Sequence, residues 1–225
     1  MKRSFLVSAS IFFGAVSLLF QVGASAASYK IESSTSPPEG LSAELKASLQ
    51  PQGSRILNEQ GSVWCEVWIR KVVADTGNPA SEAAKYPALH LGSMLGVMSF
   101  PSTGSDYRGQ AIKPGIYTMR YCLILQDGNH MGVAPVPDFV LLIPAAEDTK
   151  DPDAALTLEE LVNLSRKASG TNHPAVIDLG RPPASPSAPT LEKDDLDHWV
   201  LTTKTQSKSG ADLPIGIVVV GRAEG

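Results

Sequence analysis

A chain of 225 residues with 19 basic and 23 acidic side chains has a formal charge of −4. That balance leaves no basic footprint for nucleic acid or an anionic membrane surface. With 43% hydrophobic residues the chain can bury one domain-sized core, and its 19 glycines and 17 prolines divide it into short runs.

Lys2 and Arg3 precede an apolar run from Phe5 to Phe20, and Ala24-Ser25-Ala26 supplies the small-x-small pattern that a signal peptidase accepts. The run is too short for a membrane anchor, and no cysteine follows it to carry a lipid. Residues 1–26 therefore read as a secretory signal, and residues 27–225 as a single β-rich domain that is periplasmic or secreted. Loss of Lys2 and Arg3 takes the charge from −4 to −6. No further long apolar segment follows, so the mature chain is expected to be soluble.

The first element is a short helix candidate, "GLSAELKASLQ" (Gly40–Gln50). "SRILNEQGSV" reads as a strand turning at Asn58–Gly61. It leads into "SVWCEVWIRKVV", which alternates with Cys65, Val67 and Ile69 on one face and Trp64, Glu66, Trp68 and Arg70 on the other. A charge between two tryptophans suggests either a partly wet face that stacks on sugar rings or one packed beneath a loop or helix. "ALHLGSMLGVMSF" (Ala88–Phe100) has two internal glycines and reads as strands with a bulge. In "GIYTMRYCLIL", Tyr117, Met119, Tyr121, Leu123 and Leu125 oppose Thr118, Arg120 and Cys122. "DGNH" then turns at Asp127–Asn129 and leaves His130 on a loop.

"DFVLLIP" (Asp138–Pro144) is apolar almost throughout, as a central strand would be. "LTLEELVNLSRKASG" changes to helical spacing, with a Thr157/Glu160 capping box and a stop at Gly170, and predicts a packed helix at about 157–169. In "SGTNHPAV", Pro174 restrains His173 to an extended backbone on a loop. A short strand "HPAVIDLG" follows, and Arg181–Pro189 is too proline-rich for sheet or helix and reads as a surface crossing. "HWVLTTKTQ", "SKSGADLP" and "IGIVVVGRA" form a closing hairpin. The sum is an antiparallel, β-sandwich-like single domain of immunoglobulin-like, transthyretin-like or jelly-roll kind.

"PGIYTMRY" (Pro114–Tyr121) resembles strand starts of immunoglobulin-like and transthyretin-like modules. More widely, Val63 to about Gly180 resembles an uncharacterised group of exported bacterial β-rich proteins. The resemblance implies export and a β-rich fold; the group brings no activity with it.

Several residues invite chemistry. Cys65 and Cys122 are an even pair in an exported chain and a candidate disulfide, with two buried small hydrophobes as the alternative. His90, His130, His173 and His198, with Met94, Met98, Met119 and Met131, are ligand types that suit copper or zinc, although no tight metal-ligand spacing occurs. His130 and His173 would converge if their loops open at one end of the domain. Asp148, Asp151 and Asp153 invite a calcium reading without the calcium-loop order, and they also complement the dipole of the following helix. Neither Gly-x-Ser-x-Gly, a Ser-x-x-Lys set nor a phosphate loop is present. The leading expectation is a non-enzymatic module of the cell envelope that binds or scaffolds a protein or a carbohydrate. The alternatives are a copper or zinc protein using loop histidines, and an exported hydrolase with His90, His130 or His173 as base.

Overall fold

The computed structural model describes residues 28–75, 84–124, 133–182 and 189–223. Outside these lie the expected signal segment, His130 with Met131, and the middle of the Arg181–Pro189 crossing. The described chain begins with β1 (Lys30–Ser34), passes through α1 (Ala43–Ser48) and returns antiparallel as β2 (Gly53–Leu57). The predicted turn follows: Asn58 Oδ1 accepts the N–H groups of Gln60 and Ser62. β3 (Val63–Ile69) then pairs back along β2, and β4 (Val72–Val73) continues beyond it. Next come β5 (Met94–Phe100), the ribbon of β6 (Gly104–Ser105) and β7 (Ala111–Ile112), β8 (Gly115–Leu123) and β9 (Asp138–Pro144). After α2 (Leu158–Ser169) the chain adds β10 (Val176–Gly180), β11 (Thr190–Lys193), β12 (Trp199–Ser207) and β13 (Asp212–Val220).

Apart from the ribbon, these strands form one sheet in the order β1-β2-β3-β5-β8-β9-β10-β13-β12-β11, with β4 pairing β12 in parallel. The sheet curls until its ends meet. Trp64 on β3 donates its indole N–H to the Val219 carbonyl on β13 at 2.9 Å, and Thr205 Oγ1 donates to the Arg70 carbonyl at 2.6 Å. Tyr29, beside β1, has its ring 5.8 Å from that of Trp199, and β1 runs beside β11. The domain is mainly β, as predicted. Among the described residues no helix is long and apolar enough to cross a membrane.

Alternation along the strands decides what fills the curl. On β8, Tyr117, Met119 and Tyr121 point inward and join Ile56, Val67, Leu142, Ile177 and Ile217 in the larger core, while Cys122 points outward. β9 is buried on both faces: Val140 and Leu142 lie inside, and Phe139, Leu141 and Ile143 lie outside beneath α2. Each such side chain contributes about 1.5–3 kcal/mol by leaving water, and for β9 both faces contribute. α2 has the predicted capping box, with Thr157 Oγ1 accepting Glu160 N–H while Glu160 Oε2 accepts Thr157 N–H, and it stops at Gly170 with φ +67°. Leu161 and Val162 form its apolar contact with β9. The second helix, α1, is capped by Ser42 and flanked by Leu41 and Leu49, which cover Trp68 and Val97.

Two expectations change. Trp64 does not share a face with Trp68. β3 has one extra residue opposite Ile56–Leu57, and this bulge accompanies a Trp64 side chain that packs against the inner core while Trp68 is buried under α1. The candidate bridge is also not formed, because Cys65 and Cys122 are free, buried thiols. Cys65 lies inside the curl and Cys122 outside, and β5 separates their strands. Two strand spacings of about 4.8 Å each already exceed the roughly 6.8 Å that a disulfide spans between Cα atoms. Burial pushes both thiols well above the usual range. An aqueous disulfide reagent is therefore expected to modify neither cysteine in the folded protein and both after unfolding; rapid labelling of native protein would contradict the placement.

Candidate functional site

Arg120 sits on the outer face of β8 with none of its side chain exposed. Its Nε and Nη2 donate to the two oxygens of Asp148 at 2.7 and 2.8 Å, and Nη1 donates to the Gly92 carbonyl at 2.8 Å. Nη2 also reaches the carbonyls of Lys150 and Asp151 at 3.1 and 3.2 Å. Asp148, whose side chain is equally buried, accepts a further 2.5 Å bond from Thr118 Oγ1. A second arginine acts in parallel. Arg70 donates to Asp153 Oδ1 at 2.7 Å and to the Met94 carbonyl at 3.3 Å, and Lys208 holds the other Asp153 oxygen at 2.8 Å. Together the two arginines fasten the connection between β9 and α2 onto the sheet.

α1 faces this connection. Gln50 N–H donates to the Ile69 carbonyl and Lys71 N–H to the Ser48 carbonyl, so the helix is tied to the end of β3. Between α1 and the Ala145–Pro152 stretch lies a cleft of about 620 Å³. Leu41, Leu45, Met94 and Ala145 give it apolar walls, Ser42 and Thr149 add hydroxyls, and Glu44 and Lys150 stand on opposite sides. Among the described residues no aromatic ring lines it.

A second polar cluster closes one end of the curl. Asp138 Oδ1 accepts from Tyr121 Oη at 2.8 Å and from the backbone N–H groups of Lys85 and Tyr86 at 3.0 and 3.3 Å. Tyr86 Oη donates to the Gly180 carbonyl, and Lys85 Nζ donates to the Leu179 carbonyl at 2.6 Å and to Asp178 at 3.4 Å. Burial pushes both phenols, and the Asp178 carboxyl against the opposing Lys85 charge, upward. The 84–86 segment is thus pinned across the sheet end, with Tyr86 in the core. Asp106 pins the next turn in the same way: its carboxylate accepts from Arg108 N–H, from the backbone and side-chain N–H groups of Gln110, and from Val176 N–H.

The histidines are placed separately. His90 is half-buried, with Nδ1 3.1 Å from the neighbouring Leu91 carbonyl. His173 is exposed after α2, where its N–H donates to Thr171 Oγ1 and its carbonyl accepts from Ser169 Oγ. His130 lies outside the described residues. Among the described residues no three His, Cys, Asp or Glu side chains converge where a metal ion could sit. The aspartates that invited calcium have other work: Asp148 and Asp153 bind arginines, and Asp151 Oδ1 accepts the Asp153 N–H. Sequence reasoning missed Arg120, Arg70 and Asp138. The available signal was a charge inside an otherwise apolar strand, which marks either a wet face or a buried pair.

Compared with protein-family models, curated proteins and solved structures, the chain finds no match in any of the three.

Two predictions follow from the arginine pairs. Asp148→Ala leaves the Arg120 charge buried and unpaired and is expected to lower stability to urea by about 3–5 kcal/mol, whereas the double change Arg120→Met with Asp148→Leu costs much less; equal losses would contradict the pairing. Burial pushes the Asp153 carboxyl up, but the hydrogen bonds and charges of Arg70 and Lys208 outweigh it and hold the pKa at about 2. That lies below the ordinary aspartate value of ~3.9, so the stabilisation is complete above that value and lost as pH falls through about 2. Urea unfolding at stepped acid pH should show a smaller loss for Asp153→Asn than for the unchanged protein.

Proposed function

We propose that the protein is a non-enzymatic, exported module of the cell envelope that binds a short extended peptide segment of a partner protein in the cleft between α1 and Ala145–Pro152. On this reading the curled sheet is a β-sandwich-like scaffold of the exported kind that the sequence resembles. The observation that carries it is the make-up of the cleft, whose walls are apolar and whose opposite sides hold one negative and one positive side chain, Glu44 and Lys150. A volume of about 620 Å³ suits a few residues of extended chain. An apolar side chain would meet Leu41, Leu45 and Met94, the peptide backbone would meet the hydroxyls of Ser42 and Thr149, and flanking charges would meet Glu44 and Lys150. A peptide is favoured over a carbohydrate because none of the described residues that line the cleft is aromatic. The tryptophan pair that would have supplied one is spent elsewhere: Trp68 is fully buried and the Trp64 N–H is bonded to Val219.

Calorimetry with short extended peptides, each with one leucine flanked by an acidic and a basic residue, tests this against a glucosaminyl oligosaccharide. Binding of the peptides is expected, weakened roughly tenfold by the paired swap Glu44→Lys with Lys150→Glu. Binding of the saccharide alone, or of peptides with no effect of the swap, would overturn the assignment.

A further inference from the structure

His198, at the end of the turn between β11 and β12, is only 5% exposed and has a partner at each ring nitrogen. Nδ1 lies 3.2 Å from Asp194 Oδ2, and Nε2 lies 3.2 Å from the Arg222 carbonyl oxygen. Both partners are acceptors. A neutral imidazole has one N–H and one bare nitrogen and can satisfy only one of them, whereas an imidazolium donates to both. Asp194 is not free to turn away, because its other oxygen accepts the N–H groups of Leu196 and His198 at 2.9 Å each.

The Arg222 side of the ring is the end of the described chain. Gly221 lies against the imidazole so closely that a Cβ there would come 2.6 Å from His198 Cδ2, so only glycine fits. One residue beyond Arg222, Ala223 N–H donates to the Tyr107 carbonyl at 2.9 Å, and the Tyr107 ring stands edge-on to His198 with centroids 5.4 Å apart. The charged groups near the ring are Asp194 and Asp197 from its own turn and Asp178 from β10. Lys193 is paired with Asp197 and Lys85 with Asp178. The Arg222 guanidinium lies against Gly109.

We propose that His198 is a proton-operated latch on the segment Gly221–Ala223 that follows β13. The imidazolium holds the segment by donating Nε2–H to the Arg222 carbonyl while Nδ1–H stays on Asp194. When the Nε2 proton leaves to solvent, a bare nitrogen faces a carbonyl oxygen and the segment is released from the ring, which uncovers Tyr107 and the margin of the outer core. The latch is closed where both ring nitrogens carry protons and opens as rising pH removes one of them.

Amide hydrogen exchange of Ala223 tests this, expressed as a protection factor so that the intrinsic rate cancels. Protection is expected to fall roughly tenfold from about pH 5 to about pH 8, with the Gly92 amide, bonded to the Tyr121 carbonyl elsewhere in the fold, unchanged. Asp194→Asn is the decisive variant. Its amide oxygen can still cap the turn, and its N–H₂ donates to Nδ1, so a neutral His198 keeps Nε2–H for the Arg222 carbonyl. Ala223 is then expected to be equally protected at both pH values. Equal protection at both values in the unchanged protein would overturn the latch, as would a variant that still loosens as pH rises. Should Asp194→Asn fail to fold, nitrogen-15 spectra of the unchanged protein decide: two protonated ring nitrogens at about pH 5 support the latch, and a single one sinks it.

Discussion

A guanidinium with no access to water organises the outer side of this protein. Arg120 projects from the middle of β8 and reaches the carbonyl that leads into β5 and both oxygens of Asp148, with two more carbonyls in the connection to α2. One rigid fork of donors thereby fixes three stretches of chain against one another, which the single point charge of a lysine would not do. Such a pair adds little net stability compared with apolar packing, because desolvation offsets much of the attraction. Its value here is positional: it leaves the connection one place to lie, and that place sets the approach to α2 and one wall of the cleft.

The inner half of the fold was largely legible in the sequence. The alternation of Tyr117, Met119 and Tyr121 assigned the core face of β8, the apolar run Asp138–Pro144 marked a strand covered on both sides, and Thr157, Glu160 and Gly170 bounded α2. Each of these signals is local, so a single segment contains all the information. The outer half depends on partners distant in sequence. Thr118 and Arg120 suggest a wet face when read alone, and only the return of Asp148 some thirty residues later makes that face dry. The bulge at Trp64 was invisible because it arises from a mismatch between two strands and from neither strand separately. His90 and His173 lie between the strands and helices, whereas His198, at the foot of a tight turn, is held at both nitrogens.

Polar side chains buried in the domain share one task. Arg120, Arg70, Asp138 and Asp106 each tie a connecting segment to a strand, and they do so through backbone groups as often as through other side chains. Connections between strands carry unpaired N–H and C=O groups, and a connection laid over a sheet must find partners for them. Here charged side chains supply those partners, which is how a sheet can be covered on its outer face with only two helices among the described residues.

The meeting of the sheet's two ends also sets how the chain can reach its native state. Trp64 is bonded to Val219 and Arg70 to Thr205, so strands from the beginning and the end of the domain enclose the same core. The portion before β12 cannot complete that enclosure by itself, since β12 and β13 follow the other described strands in the chain. Long loops must close before these contacts repay their entropy, which places the protein among slow folders with high contact order. Until the final hairpin arrives, the inner faces of β3, β5 and β8 remain uncovered on one side. A chain emerging in sequence order therefore exposes apolar surface and depends on protection until β12 and β13 have joined the sheet.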